Sequence, residues 1–286
     1  MHKSLFKKFF TRHESNEDII DYLFYMEVED SEEQIVDCFL PNGCFEIIID
    51  LADSVRYSTD EGVWAERPTT SIMGHHIQGI RLSVKGNKFC CVGAVLKHGK
   101  VFKLLPDKSS RIYGRPVCID TYFPDSSKYL LDRIRHATDM IDKIKALDDF
   151  IKFRIKPNIV QPAFLDHSMQ LIVQHKGDIS MSDLSKRVRC STRHLRRSFL
   201  LHFGISPKSF SSVIRLHSTV QHIIKTGKPI ADVISDHGYF DRAHFYKEFL
   251  RITNLPPSVY FNQPRKISRF FFNQTLPSAL VKQSII

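Results

Sequence analysis

The C-terminal part of the chain repeats itself at a constant offset of 50 positions, and this repeat constrains the fold more than any other feature. The corresponding pairs are Leu184 and Ile234, Ser191 and Asp241, Leu195 and Phe245, Arg197 and Lys247, Phe199 and Phe249, Gly204 and Asn254, Pro207 and Pro257, and Phe210 and Tyr260. A repeat that keeps register over this length indicates two copies of one supersecondary unit. The fold must therefore place two similar units side by side.

Each copy has the pattern of a short helix, a tight turn and a second helix. In the first copy, Ser180 precedes a short helix that runs to about Val188, and Ser191 caps a second helix that ends at Gly204. The corresponding boundary residues of the second copy are Pro229, Gly238 and Asp241. This arrangement predicts two helix-turn-helix units.

The second helix of each copy combines an apolar stripe with basic residues. Leu195, Phe199 and Phe203 recur every four residues and predict the buried face of the first such helix, as Phe245 and Phe249 do in the second. The residues predicted to meet DNA are Ser191, Arg193, His194, Arg196 and Arg197 in the first copy, and Arg242, Ala243, His244, Lys247 and Arg251 in the second. Arginine pairs with guanine or grips phosphate, and alanine can meet a thymine methyl group. Arg251, near a helix end, is better suited to phosphate.

The positive charge of the chain is concentrated in the same region. The net charge is +10, and residues 166–264 hold 14 Lys and Arg against 7 Asp and Glu, whereas residues 1–165 hold one more acid than base. Neutralising phosphates releases counterions and drives binding to nucleic acid. The asymmetry predicts double-stranded DNA as the partner of the C-terminal part, although a basic face that is merely solvated remains the alternative.

The N-terminal half has a different texture. A turn at Pro41–Gly43 leads into the β-branched run Ile47–Ile49, and similar short apolar stretches bounded by Gly and Pro follow it. We therefore expect an α+β chain of two domains. The predicted divisions are a β-rich regulatory, effector-binding or dimerisation domain over 1–125, a helical linker over 126–165, an all-α DNA-binding domain over 166–264 and a basic tail over 265–286.

An amphipathic stripe in the linker predicts a helix from about residue 126, capped by Ser126 or Ser127. The stripe consists of Leu130, Ile134, Ala137, Ile141, Ile144 and Ile151. It can pack on its own domain or pair with a second chain as a coiled coil, which would make a homodimer. The prolines of KPNIVQP, 156–162, end this helix.

These motifs resemble the AraC/XylS family of bacterial transcription regulators. The resemblance covers about 166–262 and is carried by DLSKRVRCSTRHLRRSFLLHFGISPKSF and IRLHSTVQHIIKTGKPIADVISDHGYFDRAHFYKEFLRITNLPPSVY. It implies that a long helix, here about Pro207 to Thr226, holds two recognition helices for successive major-groove segments. Asn254 in place of the usual Gly, Ser218–Thr219 in place of alanine and Leu250 in place of Lys depart from the family pattern.

A looser resemblance, through LPNGCFEIIIDL and RPTTSIMGHHIQG, links the N-terminal half to the companion domain of one AraC-like subgroup. It implies a domain that binds a small-molecule effector, dimerises, or does both. An activator would also contact RNA polymerase, but the sequence does not separate activation from repression. A regulator of this kind is expected in the cytoplasm, with no membrane partner.

Two alternatives come from other classes. A metal-dependent enzyme would need ligands that adjacent His75 and His76 do not supply, so we expect no catalytic residues, no metal site and no cofactor. A thiol- or metal-responsive regulator would use Cys90 and Cys91 with neighbouring cysteines or histidines. Packing is the favoured role for these cysteines, because buried cysteines usually behave as small hydrophobic residues.

Overall fold

The computed structural model describes residues 5–12, 19–29, 35–52, 54–59, 63–105, 109–156, 158–262 and 267–268. Most of the predicted basic tail, including the run Phe270–Phe272, lies outside the described residues. Ile267 and Ser268 are the part of that tail that the structure describes.

The N-terminal part forms two antiparallel sheets. The six-stranded sheet has the order β1 (Leu5–Arg12), β2 (Ile20–Glu29), β9 (Lys88–Leu96), β4 (Phe45–Asp50), β7 (Thr70–Met73) and β10 (Val117–Cys118). The four-stranded sheet has the order β3 (Val36–Phe39), β8 (Ile80–Val84), β5 (Val55–Ser58) and β6 (Ala65–Glu66). The predicted α+β class is therefore confirmed, with its β-rich part at the N-terminus.

Strand β9 of the six-stranded sheet is buried on both faces, which explains why it is apolar from Phe89 to Leu96. Alternate residues of a strand point to opposite faces. Cys91 and Val95 accordingly pack between the two sheets, whereas Cys90 and Val92 join the cluster on the other face. Gly93 leaves room for the ring of Phe24, with which a Cβ atom at position 93 would clash.

The second face is covered by two helices, α1 (Ser126–His136) and α2 (Met140–Arg154), where the periodicity predicted one. The chain becomes extended at Ala137, and the side chain of Asp139 caps α2 by accepting a hydrogen bond from the backbone N–H of Asp142 at 2.8 Å. The predicted caps of α1 are also wrong, because Asp125 precedes that helix. Ile141 is 55% exposed, but the rest of the stripe largely packs on its own sheet, as the intramolecular alternative predicts.

Seven helices form the C-terminal part of the described chain: α3 (Ala163–Gln174), α4 (Met181–Arg187), α5 (Thr192–Phe203), α6 (Pro207–Thr226), α7 (Ile230–Ile234), α8 (Arg242–Thr253) and α9 (Pro257–Asn262). They enclose two apolar clusters, one for each copy of the repeat. The long helix α6 contributes Phe210 and Ile214 to the first cluster, and Leu216 and Val220 to the second. This shared helix fixes the two units relative to each other.

Residues of the β-rich part contact both units of the C-terminal part. Ile77 packs against the first cluster, and Cys38 and Leu40 belong to the second. An ion pair between Lys100 and Asp166, at 2.5 Å, adds a polar contact to α3. Among the described helices, none combines the length and apolar character needed to cross a membrane.

Candidate nucleic-acid interface

The two copies of the repeat have matching helices and matching exposure. The bounds of α5 and α8 differ by 50 positions at both ends. Residues 191–200 and 241–250 also share one order of exposed and buried side chains, in which Leu195 and Phe199 correspond to Phe245 and Phe249. The predicted pair of helix-turn-helix units is therefore confirmed in the fold.

Each of these helices begins at a side-chain cap and ends at a left-handed residue. The Oγ of Ser191 accepts a hydrogen bond from the backbone N–H of His194 at 3.2 Å. The carboxylate of Asp241 accepts one from the backbone N–H of His244 at 2.7 Å. Gly204 ends α5 with φ +74° and Asn254 ends α8 with φ +54°. Asparagine tolerates this conformation better than most residues, so the departure from glycine at position 254 leaves the helix end intact.

The basic side chains predicted on α5 lie together on its exposed face. Arg193, Arg196 and Arg197 are exposed and line an open groove beside the helix. Lys208, at the start of α6, borders the same groove and was not among the predicted contacts. It is exposed, so one continuous positive surface spans the two helices. The periodicity of α5 could not indicate Lys208, because this residue belongs to the next helix. Only the fold shows that it lies beside the arginines.

The two histidines predicted to meet DNA are both exposed, but their environments differ. The ring of His194 lies against Phe164 of α3, with 5.3 Å between ring centroids. On α8, the backbone N–H of Phe240 donates to Nδ1 of His244 at 3.4 Å, and the ring packs on Tyr239 at 5.3 Å. Because Nδ1 accepts, we assign the proton of neutral His244 to Nε2. This assignment leaves His244 with a donor for a base or a phosphate.

The remaining predicted contacts on α8 are also exposed. Arg242, Ala243 and Lys247 lie in the first two turns, and Arg251 lies near the end of the helix. An open groove beside α8 is lined by Arg242 and Tyr246 and corresponds in position to the groove beside α5. The second unit therefore presents fewer positive charges at its groove than the first.

Comparison with known proteins agrees with this geometry. A family model described as a helix-turn-helix domain matches residues 184–263, which include α5, α6 and α8. Those residues form an AraC-type helix-turn-helix domain. The match begins at Leu184, within the first unit, and ends just beyond α9.

Two transcription regulators are similar to part of this chain. The lactose operon transcription activator of Staphylococcus xylosus is 28% identical over 109 residues, which are 38% of this chain and 39% of that protein. An uncharacterized helix-turn-helix-type transcriptional regulator of Escherichia coli K12, YidL, is 30% identical over 80 residues, which are 28% of this chain and 27% of that one. The matches thus span well under half the length of these relatives.

One solved structure also aligns with most of the chain. ToxT from Vibrio cholerae aligns over 90% of this chain and 98% of its own, with 11% sequence identity and a TM-score of 0.47.

Between the two sheets lies a largely apolar cavity that the sequence did not predict. Its volume is about 50 Å³, several times what one water molecule needs. Its polar lining consists of Asn42, Glu46, Arg67, His76, His217 and Ser268. His217 belongs to α6, so the cavity borders the helix that joins the two units of the AraC-type domain.

The histidines and cysteines weighed in the alternative hypotheses are deeply buried. His75 lies edge-on to Phe45, Phe203 and Phe210, between the sheets and the first unit, and burial lowers its pKa to about 3. Cys90 and Cys91 point to opposite faces of β9, and burial raises the pKa of both thiols. Across the described residues, no three His, Cys, Asp or Glu side chains lie close enough to hold a metal ion.

Proposed function

We propose that this protein is a sequence-specific DNA-binding transcription regulator in which α5 and α8 enter successive major-groove segments on one face of the duplex. The observation that carries the proposal is the repeated exposed helix, basic in both copies, held by the shared α6. Major-groove segments on one face lie about 34 Å apart, one helical turn of DNA. Two helices can keep this spacing only if a rigid element such as α6 connects them.

The proposed contacts follow from the chemistry of each exposed side chain. Arg193, Arg196 and Arg197 bind guanine O6 and N7 or phosphate, because a planar guanidinium matches both. Ser191 and His194 lie at the start of α5, where phosphate binding sets the register of the helix.

The second helix has a different set of groups. Ala243 meets a thymine methyl group, His244 donates through Nε2, and Arg242 and Lys247 supply positive charge. Arg251 contacts phosphate near the helix end. This division predicts more guanine in the half-site read by α5 than in the half-site read by α8.

We further propose that the N-terminal part regulates DNA binding by a small-molecule effector. Two observations support this: residues of the β-rich part pack against both helix-turn-helix clusters, and the cavity between the two sheets borders α6. A ligand that changes the packing around this cavity changes the surroundings of the helix that spaces the two recognition helices. Such a regulator acts in the cytoplasm, where bacterial DNA lies.

Selection from a pool of random duplexes by the full chain tests the DNA-binding proposal. We expect enrichment of two short sequence elements whose centres lie about 10 base pairs apart. Arg197→Ala should lose preference within one element and Lys247→Ala within the other. Enrichment of a single element, or loss of both elements in each variant, would show that the two helices do not read separate segments.

A further inference from the structure

An unpartnered acceptor lies at the wall of the cavity between the sheets. The Nδ1 atom of His76 is 3.3 Å from the carbonyl oxygen of Gly74, so it carries the proton and donates to that oxygen. Nε2 is then a buried acceptor, and it has no hydrogen-bond partner within the described part of the chain. The side chain is only 6% exposed, and burial lowers its pKa to about 4, so the ring is neutral at physiological pH. Buried acceptors without partners are uncommon and costly.

A carboxyl group lies in the same lining. Glu46 accepts a hydrogen bond from Nδ2 of Asn42 at 2.7 Å, and burial raises the pKa of this carboxyl, against the opposing effects of Asn42 and Arg67. Glu46 projects from β4 into the space between the sheets, on the same face as Ile48. The polar side of the cavity is therefore rich in groups that accept hydrogen bonds.

The positive charge of the lining is already balanced. Among the described residues that line the cavity, Arg67 is the one arginine or lysine. Its guanidinium forms a two-point ion pair with Asp50. Nε lies 2.9 Å from Oδ2 and Nη2 lies 2.5 Å from Oδ1. Both side chains are buried, with 3% and 6% exposure. A negatively charged ligand would have to compete with Asp50 for Arg67.

We propose that the cavity binds a small, mainly apolar molecule whose polar end donates hydrogen bonds, an alcohol or an amine, and that it discriminates against carboxylates. This inference rests on the proposed effector function of the N-terminal part and names the chemistry of the effector. A hydroxyl or amino group supplies the donor that Nε2 of His76 lacks. A carboxylate has no proton to give and would bring a second acid close to Glu46, in surroundings where an unpaired charge is expensive.

The apolar lining defines the rest of the ligand. Phe24, Ile80, Leu82 and Phe89 surround the space, and Ile267 borders it from the C-terminal side. The volume suits a short chain or a single ring. Such a ligand gains affinity by leaving water, and its polar end provides the selectivity.

Three six-carbon probes separate the head groups at nearly constant apolar content. Hexan-1-ol can donate and accept hydrogen bonds, whereas its isomer 1-methoxypentane can only accept them. Hexanoate carries a negative charge. We would measure binding of each to the full chain at pH 7 by calorimetry. Hexan-1-ol should bind about tenfold more tightly than 1-methoxypentane, and more tightly than hexanoate, because the ether leaves Nε2 of His76 unpaired.

Two further measurements locate the effect. In His76→Phe, which keeps a ring but removes the acceptor, the alcohol and the ether should bind equally. In the unmodified protein, long-range nitrogen NMR of labelled histidine should show Nε2 of His76 shifting with hexan-1-ol and not with the ether. The NMR measurement decides the point if the variant fails to fold.

The outcomes separate the two proposals. Hexanoate binding as tightly as hexan-1-ol, or equal binding of the alcohol and the ether by the unmodified protein, would overturn the ligand class and leave an effector site in place. No binding of any probe up to its solubility limit would overturn the cavity as an effector site together with the ligand class. DNA binding measured on the same preparation is independent of both results.

Discussion

Arg215 on α6 and Glu248 on α8 form a two-point ion pair, with Nε to Oε1 at 3.1 Å and Nη2 to Oε2 at 2.7 Å. The hydroxyl of Tyr239 donates to the same carboxylate at 2.8 Å, and the guanidinium lies 5.1 Å from the centre of the Tyr239 ring. Glu248 is on the buried side of α8, opposite the residues proposed to meet DNA. The pair therefore holds α8 at a fixed angle on the long helix α6.

Glu248→Gln should lower the free energy of unfolding at pH 7 by about 2 kcal/mol, because it leaves a largely buried guanidinium without its counter-charge. Denaturant unfolding of both proteins measures the difference. Asp149→Asn is a matched control, since its pair with Arg133 is a single exposed contact at 3.3 Å and should contribute little. A change in the control as large as in Glu248→Gln would contradict this account.

The same pair predicts a pH dependence. Burial alone would raise the pKa of Glu248, but the hydrogen bonds and charge of Arg215, with that of Tyr239, lower it below the ordinary 4.5. A lowered pKa stabilises the folded state above the unfolded value, and this stabilisation disappears as the pH falls through the folded value. The difference between the unmodified protein and Glu248→Gln should thus stay constant from pH 8 to about pH 5 and shrink below pH 4.5. A difference that grows in acid would contradict the assignment.

Arg197→Ala should weaken binding to the selected DNA by about 1 to 3 kcal/mol and relax base preference at one position, if Arg197 reads guanine. Fluorescence anisotropy against duplexes carrying each base at that position measures both effects. Arg135→Ala is the control, because Arg135 is exposed on α1, far in sequence from α5 and α8. An unchanged base preference with uniformly weaker binding would reassign Arg197 to phosphate.

His244→Phe should keep the ring contact with Tyr239 and lose the donor at Nε2. We expect affinity for the selected DNA to fall by about 1 kcal/mol, with little change in thermal stability. Anisotropy and thermal unfolding on the same sample separate the two effects. Unchanged DNA affinity in a stable variant would show that His244 does not donate to DNA.

Asp37 on β3 anchors the described end of the chain. Its Oδ2 accepts from the backbone N–H groups of Ile267 and Ser268 at 2.7 and 2.8 Å, and its Oδ1 accepts from the hydroxyl of Ser268 at 2.7 Å. Asp37→Asn removes one accepting oxygen and should cost about 1 to 3 kcal/mol of unfolding free energy. Ser268→Ala removes a single donor and should cost less in the same urea titration. The reverse order would show that the carboxylate is not the anchor.

The sequence predicted the C-terminal part in detail because the repeat shows each element twice. Ser191 and Asp241 are caps as expected, and α6 runs from Pro207 to Thr226 as the family resemblance implied. The N-terminal part offered no such second copy. The sequence predicted that this part is rich in strands, but it did not predict how the strands pair or that a cavity lies between the sheets. Both features depend on residues far apart in the chain.

The errors have physical causes. A stripe at helical spacing continues through Ala137, and the break there depends on the Asp139 cap and on packing of α2 against the sheet. The surroundings of His75 and His76 did not follow from the sequence, because both residues lie in an irregular segment after β7 and face different parts of the molecule. The anchoring role of Asp37 joins positions 37 and 268, and no local signal reports a contact over such a distance.

The most direct test of the central claim is competition between DNAs for the full chain. Fluorescence anisotropy would follow displacement of a labelled selected duplex by its unlabelled copy and by a scrambled duplex of equal length, at several salt concentrations. We predict that the scrambled duplex competes at least a thousandfold less well near physiological salt, since specific binding usually exceeds non-specific binding by about that factor or more. Equal competition by both duplexes, with affinity that falls steeply as salt rises, would show a charge-driven surface without base recognition and contradict the account.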